Sequence, residues 1–239
     1  LGALDGLRAA GAVDVPIVCL QNGVENERVA QRRFAEVYGG YVLAPTNHLE
    51  AGVVEATGAK LSGFLSFGRY PSGSDARCAE LAEVLSGAHF LATAVDDVMR
   101  LKYAKLLINL GNVGALFAEA PELSALEARV QAEGEAVLDA AGIPHDDPHA
   151  SNRAERWKDL GVAEIQGRIR GGSSTWQSLK RGTGAIETDY LNGEISLLGR
   201  LHGVATPLND ALCRLADAHA RRGGGPGELS LDDFLKELQ

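Results

Sequence analysis

Between Leu101 and Gly114 the chain reads LKYAKLLINLGNVG, a run whose residue types suit a site as well as a core. At about 100° per residue, Lys102, Lys105, Asn109 and Asn112 fall in a sector roughly 80° wide, with leucine, isoleucine, alanine and valine over most of the remaining circumference. Ammonium and carboxamide groups are costly to bury unpartnered, so such a stripe on a buried helix must face a polar cavity, water or a ligand. The competing reading is a surface helix whose lysines snorkel and whose asparagines bind backbone. A second polar cluster is Ser173-Ser174-Thr175-Trp176-Gln177, followed by Glu187. A lysine that can be desolvated, a glutamate that can pair with it, and amides and hydroxyls around them make an acid and anchor set for reducing a carbonyl. Alone, Glu187 has a plainer reading as negative charge placed in the first turn of a helix.

The composition bounds what such a set can serve. With 239 residues, 45% of them hydrophobic, the chain suits one large domain or two smaller ones and should be soluble and globular. A formal charge of −9 and the scattering of its 23 basic residues argue against a nucleic-acid partner. Cys19, Cys78 and Cys213 are far apart and in apolar contexts, which fits reduced thiols of a cytoplasmic protein. No metal is expected: His145, Asp146, Asp147 and His149 lie between prolines in an evident loop, where a solvated turn is the better reading. No apolar run approaches the roughly 18 residues that span a bilayer, and no leader is visible, so no membrane partner is expected. The chain opens on Leu1, and its single methionine is Met99, which suggests numbering that begins inside a longer gene product.

The elements that must position these residues can be read in order. Leu4 to Ala10 reads as the end of a helix, and VPIVCL at 15–20 as a buried parallel strand. It ends in Gln21-Asn22-Gly23, before a helix expected over Glu25 to Val37. The carboxyl end of a parallel strand is where open α/β sheets place ligand-binding groups, although an ordinary strand-to-helix loop would look the same. Tyr41 to Ala44, Gly52 to Thr57 and Lys60 to Phe67 read as strands, with Val53, Val54, Leu61, Phe64, Leu65 and Phe67 in the core. Cys78 to Leu85 reads as a helix and His89 to Val95 as a last strand, a pattern that fits the later half of a mixed sheet. No G-x-G-x-x-G precedes Asn22, so the turn that cradles a pyrophosphate is missing from this stretch.

From Asp96 the chain turns helical. Asp96 and Asp97 open the lysine helix, and Leu123 to Ala141 follows, ended by Gly142 and Pro144. Trp157 to Leu160 and Trp176 to Lys180 are short helical turns, Ile186 to Leu201 a long amphipathic helix, and Thr206 with Pro207 starts another that runs to about Arg222. Gly223 to Gly227 is a flexible linker. Ser230-x-x-Asp233 resembles a capping box before a short helix with Leu231, Phe234, Leu235 and Leu238 on its apolar face.

Four motifs appear in a familiar order: Gln21-Asn22-Gly23-Val24-Glu25-Asn26-Glu27; Tyr103-Ala104-Lys105-Leu106-Leu107-Ile108-Asn109; Ser173-Ser174 with Trp176-Gln177; and Glu187-Thr188-Asp189-Tyr190-Leu191-Asn192-Gly193. From about Leu1 to Arg222 the chain resembles the ketopantoate reductases, also called 2-dehydropantoate 2-reductases. The resemblance implies an α/β plus all-α chain: the C-terminal half of a Rossmann-like dinucleotide-binding domain over 1–95, a helical substrate-binding and dimerisation domain over 96–222, and a glycine-rich linker with a terminal helix over 223–239. It implies an NADP-dependent oxidoreductase that reduces 2-dehydropantoate or a related 2-keto acid in pantothenate and coenzyme A synthesis. In that family pattern Lys105 is the general acid, and Glu187 holds a substrate hydroxyl or the lysine. Asn109 and Ser174 bind substrate, and Asn22 lies at the nicotinamide end of the cofactor. Asn112 stands one residue before the position where the family pattern expects a second asparagine, here Val113, and still falls in the polar sector of a helix. An aspartate expected after Trp176-Gln177 is Ser178. A homodimer through the helical domain is expected from the apolar helices. If the phosphate-binding half is truly absent, the alternative is a non-catalytic helical dimerisation or binding remnant, and the chain by itself should bind NADPH poorly.

Overall fold

The computed structural model describes residues 2–148, 158–165 and 172–238. His149 and Trp157 lie outside the described residues; Lys158 to Leu160 form a helical turn. Contacts divide the chain into two units. One holds Leu1–Thr46, Ala56–Lys105 and His145–Glu164, and the other Asn47–Glu55, Leu106–Pro144 and Ile165–Gln239.

The first unit is built on a four-stranded sheet. Helix α1 (Gly2–Ala9) leads to β1 (Ile17–Cys19), α2 (Asn26–Gln31) and β2 (Val37–Leu43). After the short paired strands β3 (Thr46–Asn47) and β4 (Glu55–Ala56) come β5 (Gly63–Arg69), α3 (Ala76–Ser86) and β6 (Phe90–Ala94). The order is β1-β2-β5-β6. The β1–β2 and β5–β6 pairs are parallel and β2–β5 is antiparallel, which is the mixed sheet expected. The helix expected from Glu25 to Val37 stops at Gln31, because VYGGYVL is needed as the strand that joins β1 to β5. Its core includes Phe34, Tyr38, Leu65, Phe67 and Cys78. Val54 is not in that core but 70% exposed, since only Glu55–Ala56 of the expected Gly52–Thr57 strand pairs.

Two strand glycines seat the next helix. Gly39 and Gly68 are cross-strand partners. A Cβ at Gly39 would come within 2.7 Å of Val98 Cγ1, and one at Gly68 within 3.0 Å of Val98 Cβ. Val98, wholly buried, therefore fills the notch they leave and starts helix α4 (Val98–Asn109) against the sheet. Asp97 closes that end by accepting from the Arg100 amide at 3.4 Å.

The second unit is helical. After Asn109 the chain tightens into a 3₁₀ segment, Leu110–Leu116, so the helix expected to run through to Gly114 changes pitch midway. Then follow α5 (Leu123–Ala140), α6 (Ser174–Arg181), a 3₁₀ turn at Glu187–Tyr190, α7 (Asn192–His202), α8 (Pro207–Arg221) and α9 (Leu231–Glu237). The long helix expected from Ile186 is thus a 3₁₀ turn plus α7, ended by Gly203 at φ 72°. Thr206 stands at the α8 N-cap without a side-chain cap bond. The Glu133 carboxylate takes that role, accepting from the Leu208 and Asn209 amides at 3.0 Å each. Ser230 caps α9 as expected, and Phe234 packs on Phe117 with ring centroids 5.5 Å apart. No helix among the described residues is long and apolar enough to cross a membrane.

Candidate functional site

In the first unit the candidate groups stand on two elements, Asn22 in the turn after β1 and Lys105 within α4. The turn after β1 is closed by Asn26, whose carboxamide donates to the Asn22 carbonyl at 3.2 Å, and by Gly23 at φ 77°. Lys105 lies on α4, half-buried, and donates to the Val42 carbonyl of β2. Its Nζ stands 5.7 Å from the centroid of the Tyr41 ring. A cation over an aromatic face and a backbone acceptor fix the position of the ammonium, as a placed proton donor requires.

Lys102 is a different case. It faces neither cavity nor ligand, as the polar stripe would have it: the side chain is 3% exposed and ion-paired with Glu27, itself 0% exposed. It also donates to the Gln21 carbonyl at 3.1 Å. Burial pushes the Glu27 carboxyl above its ordinary range, and the Lys102 charge pulls it back. The pair ties α4 to the end of β1 beside Asn22. Burial likewise pushes the nearby Cys19 thiol up to about 12, with Glu27 adding to the shift.

In the second unit, Asn109 ends α4 one helical turn beyond Lys105. The Asn112 carboxamide donates to Ser174 Oγ at 3.4 Å, bringing two expected substrate-binding residues together. The change of pitch matters here: at about three residues per turn, positions i and i+3 eclipse. Asn112 therefore lines up with Asn109 more closely than an α-helical count allows. Ser173 caps α6 by accepting from the Trp176 amide, so Ser174 sits in its first turn. Thr175, between them, turns inward and is buried. Glu187 is half-buried in the 3₁₀ turn before α7.

Sequence reasoning missed two positioning residues. Glu27 was quoted in a motif but given no role. The Gln177 carboxamide accepts from the His48 amide at 3.2 Å and donates to Asn47 Oδ1 at 3.3 Å, fastening the 47–55 excursion to α6. Only the motif membership of each residue could have flagged it. In the loop read as solvated, Asp146 pairs with Arg100 at 3.0 Å. Among the described residues no group of three or more histidine, cysteine or acidic side chains could hold a metal.

A mixed α/β sheet with a ligand-type turn after a parallel strand, followed by a helical unit, defines a Rossmann-like dinucleotide-binding fold with a helical C-terminal domain. The family described as "Ketopantoate reductase PanE/ApbA" matches residues 2–72, and "Ketopantoate reductase PanE/ApbA C terminal" matches 97–220. The chain belongs to this ketopantoate reductase family, whose curated relatives are oxidoreductases. It is similar to 2-dehydropantoate 2-reductase of Archaeoglobus fulgidus, 29% identical over 85% of this chain and 68% of that one. The same enzyme of Pyrococcus horikoshii is 25% identical over 92% and 73%. Among solved structures, a PanE/ApbA family ketopantoate reductase from Ralstonia eutropha superposes with TM-score 0.72 at 25% identity, covering 93% of this chain and 72% of that one. D-mandelate dehydrogenase in complex with NADH shares the fold, with TM-score 0.71 at 22% identity over 92% and 75%.

Proposed function

We propose that this chain serves an NADPH-dependent reduction of 2-dehydropantoate, or a related 2-keto acid, to the 2-hydroxy acid, a step toward pantothenate and coenzyme A. Lys105 carries the reading: a half-buried ammonium held by a carbonyl and an aromatic face, one helical turn before Asn109. Family membership and relatives called 2-dehydropantoate 2-reductase support it.

The turn at Asn22 fits the nicotinamide end of a cofactor, since a parallel strand runs into it and Gly23 gives the backbone its left-handed bend. The chemistry that a bound nicotinamide supplies is hydride transfer to the keto carbon. Negative charge then grows on the ketone oxygen, where the Lys105 ammonium stabilises it and gives up its proton. Asn109 and the Asn112–Ser174 pair present amide and hydroxyl donors that orient the substrate, and Glu187 anchors its hydroxyl. The 2-keto acid enters as the small-molecule partner.

A homodimer through the helical unit belongs to the same reading. Leu197 and Leu201, a turn apart on α7, and Tyr190 just before it are exposed. A solved ketopantoate reductase of Staphylococcus aureus that shares the fold, with TM-score 0.66, is described as dimeric. Light scattering that finds a monomer at micromolar protein would remove the dimer from the proposal.

Steady-state reduction of 2-dehydropantoate by the natural full-length protein tests the reaction. Lys105→Ala should lower kcat by on the order of 10² to 10⁴, the usual contribution of a general acid. Lys102→Ala should act on stability or KM instead. A Lys105→Ala enzyme with unchanged kcat beside an inactive Lys102→Ala enzyme would show that the acid was misplaced along the helix.

A further inference from the structure

Asn192 belongs to the last of the four motifs yet has no part in the chemistry above. It is 0% exposed, at the first position of α7. Its Nδ2 donates to the Leu110 carbonyl at 3.3 Å and to Asn209 Oδ1 at 3.0 Å. Asn209, also 0% exposed, donates to the Val130 carbonyl at 3.1 Å and to the Glu133 carboxylate at 2.9 Å. Every N–H of the two carboxamides is used, and each donor meets an acceptor, so both amide orientations follow from the network. Glu133 anchors the far end on the first amides of α8.

Leu110 is where α4 gives way to the 3₁₀ segment, between Asn109 and Asn112. A carbonyl has two lone pairs, so Leu110 can accept from Asn192 in addition to a partner in its own helix. The side chain of Leu110 is fixed independently. It is wholly buried over Gly134 of α5, where a Cβ would approach Leu110 Cδ1 to 2.6 Å. One residue is thus pinned at its backbone by Asn192 and at its side chain by the absence of a Cβ at position 134.

We infer that Asn192 is a positioning residue. Through the Leu110 carbonyl it sets the point at which the helix tightens, and so aligns Asn109 with Asn112 toward a keto-acid substrate. Asn209 and Glu133 hold it in that orientation. The inference rests on the proposed substrate reading for its kinetic consequence, though not for its structural one.

Asn192→Leu keeps the branched heavy-atom skeleton of the side chain, with bulkier methyl ends, and removes both donors. In the full-length enzyme it should raise KM for 2-dehydropantoate by roughly tenfold or more, while kcat and KM for NADPH stay within roughly threefold, because the lost alignment weakens substrate binding rather than the acid step. A merely structural role would lower the melting temperature and the active fraction with KM for the keto acid unchanged, and that result overturns the inference. Gly134→Ala pushes Leu110, and Leu107 one turn earlier, from the side-chain side without touching the amide network, and should raise the same KM. It decides the matter if Asn192→Leu does not fold. A readout without turnover separates the two claims. In ¹H–¹⁵N spectra, the side-chain amide signals of Asn109 and Asn112 should shift in Asn192→Leu or Gly134→Ala while that of Asn26 stays. If the wild-type enzyme fails to reduce 2-dehydropantoate but these signals shift, the function reading falls and the positioning role stands. Unmoved signals overturn it.

Discussion

The Lys102 ammonium meets the Glu27 carboxylate with both side chains out of solvent, joining residues 75 apart in sequence. Lys102→Ala would leave that carboxylate buried and alone, which costs about 3–5 kcal/mol. The loss depends on pH. Burial already lifts the Glu27 pKa above its ordinary 4.5, and removing Lys102 takes away the main opposing influence. A carboxyl whose native pKa lies above its unfolded value holds its proton longer in the native state, so stability falls as pH rises above about 4.5 through the native value. Urea denaturation should therefore find Lys102→Ala less damaged near pH 5 than near pH 8. An equal loss at both would mean that Glu27 is not the group left exposed to the change.

Cys19 should mark the alkaline side. Its thiol, 4% exposed, is held up to about 12 against an ordinary 9.0, chiefly by burial. Above pH 9 the unfolded chain releases this proton while the native chain keeps it, so stability declines through that window. At about pH 10.5 the one group removes about 2 kcal/mol relative to pH 8. In Cys19→Ala the difference in denaturation midpoint between the two pH values should shrink accordingly. If the two proteins lose stability in parallel, the thiol is not shielded as the packing implies.

Gln177 should act locally. Its carboxamide takes one bond from the His48 amide and gives one to Asn47, and Arg181 adds a bond to the His48 carbonyl at 3.0 Å. Gln177→Ala should cost about 1–2 kcal/mol of local protection, on the scale of two hydrogen bonds near the surface. Amide hydrogen exchange would then speed up over 47–55 and remain unchanged over Phe90–Ala94. Faster exchange throughout would point to a global rather than a fastening role.

What the sequence displayed and what it hid divide along the range of the interactions. The mixed sheet, the Asn22 turn and the placing of Lys105 and Asn109 on one helix were readable because apolar periodicity and turn residues are local signals. The 3₁₀ switch was not, because it depends on Gly134 and Asn192 arriving from other helices. The stripe that grouped Lys102 with Lys105 assumed a common environment, yet Lys102 meets a carboxylate and Lys105 a strand carbonyl. Thr206 carried every local mark of a cap, and Glu133, on another helix, supplied the acceptor instead. Val54 looked like core by type, but its strand pairs over only two residues.

The notch at Gly39 and Gly68 has a consequence for how this sequence can drift. Val98 fills it so closely that a methyl group at either glycine must displace the start of the helix that carries Lys105. Positions 39 and 98 therefore behave as one inherited character. Among relatives, alanine at 39 should appear together with a smaller residue at 98, and glycine at 39 should accompany valine or isoleucine there, while glycine at 68 is also held by the Val95 carbonyl 2.7 Å from where a Cβ would stand. In the laboratory, Gly39→Ala should be harmful by itself and largely repaired by Val98→Ala, which removes the Cγ1 it would strike, so a lineage would have to pass through the damaged single variant or change both positions at once.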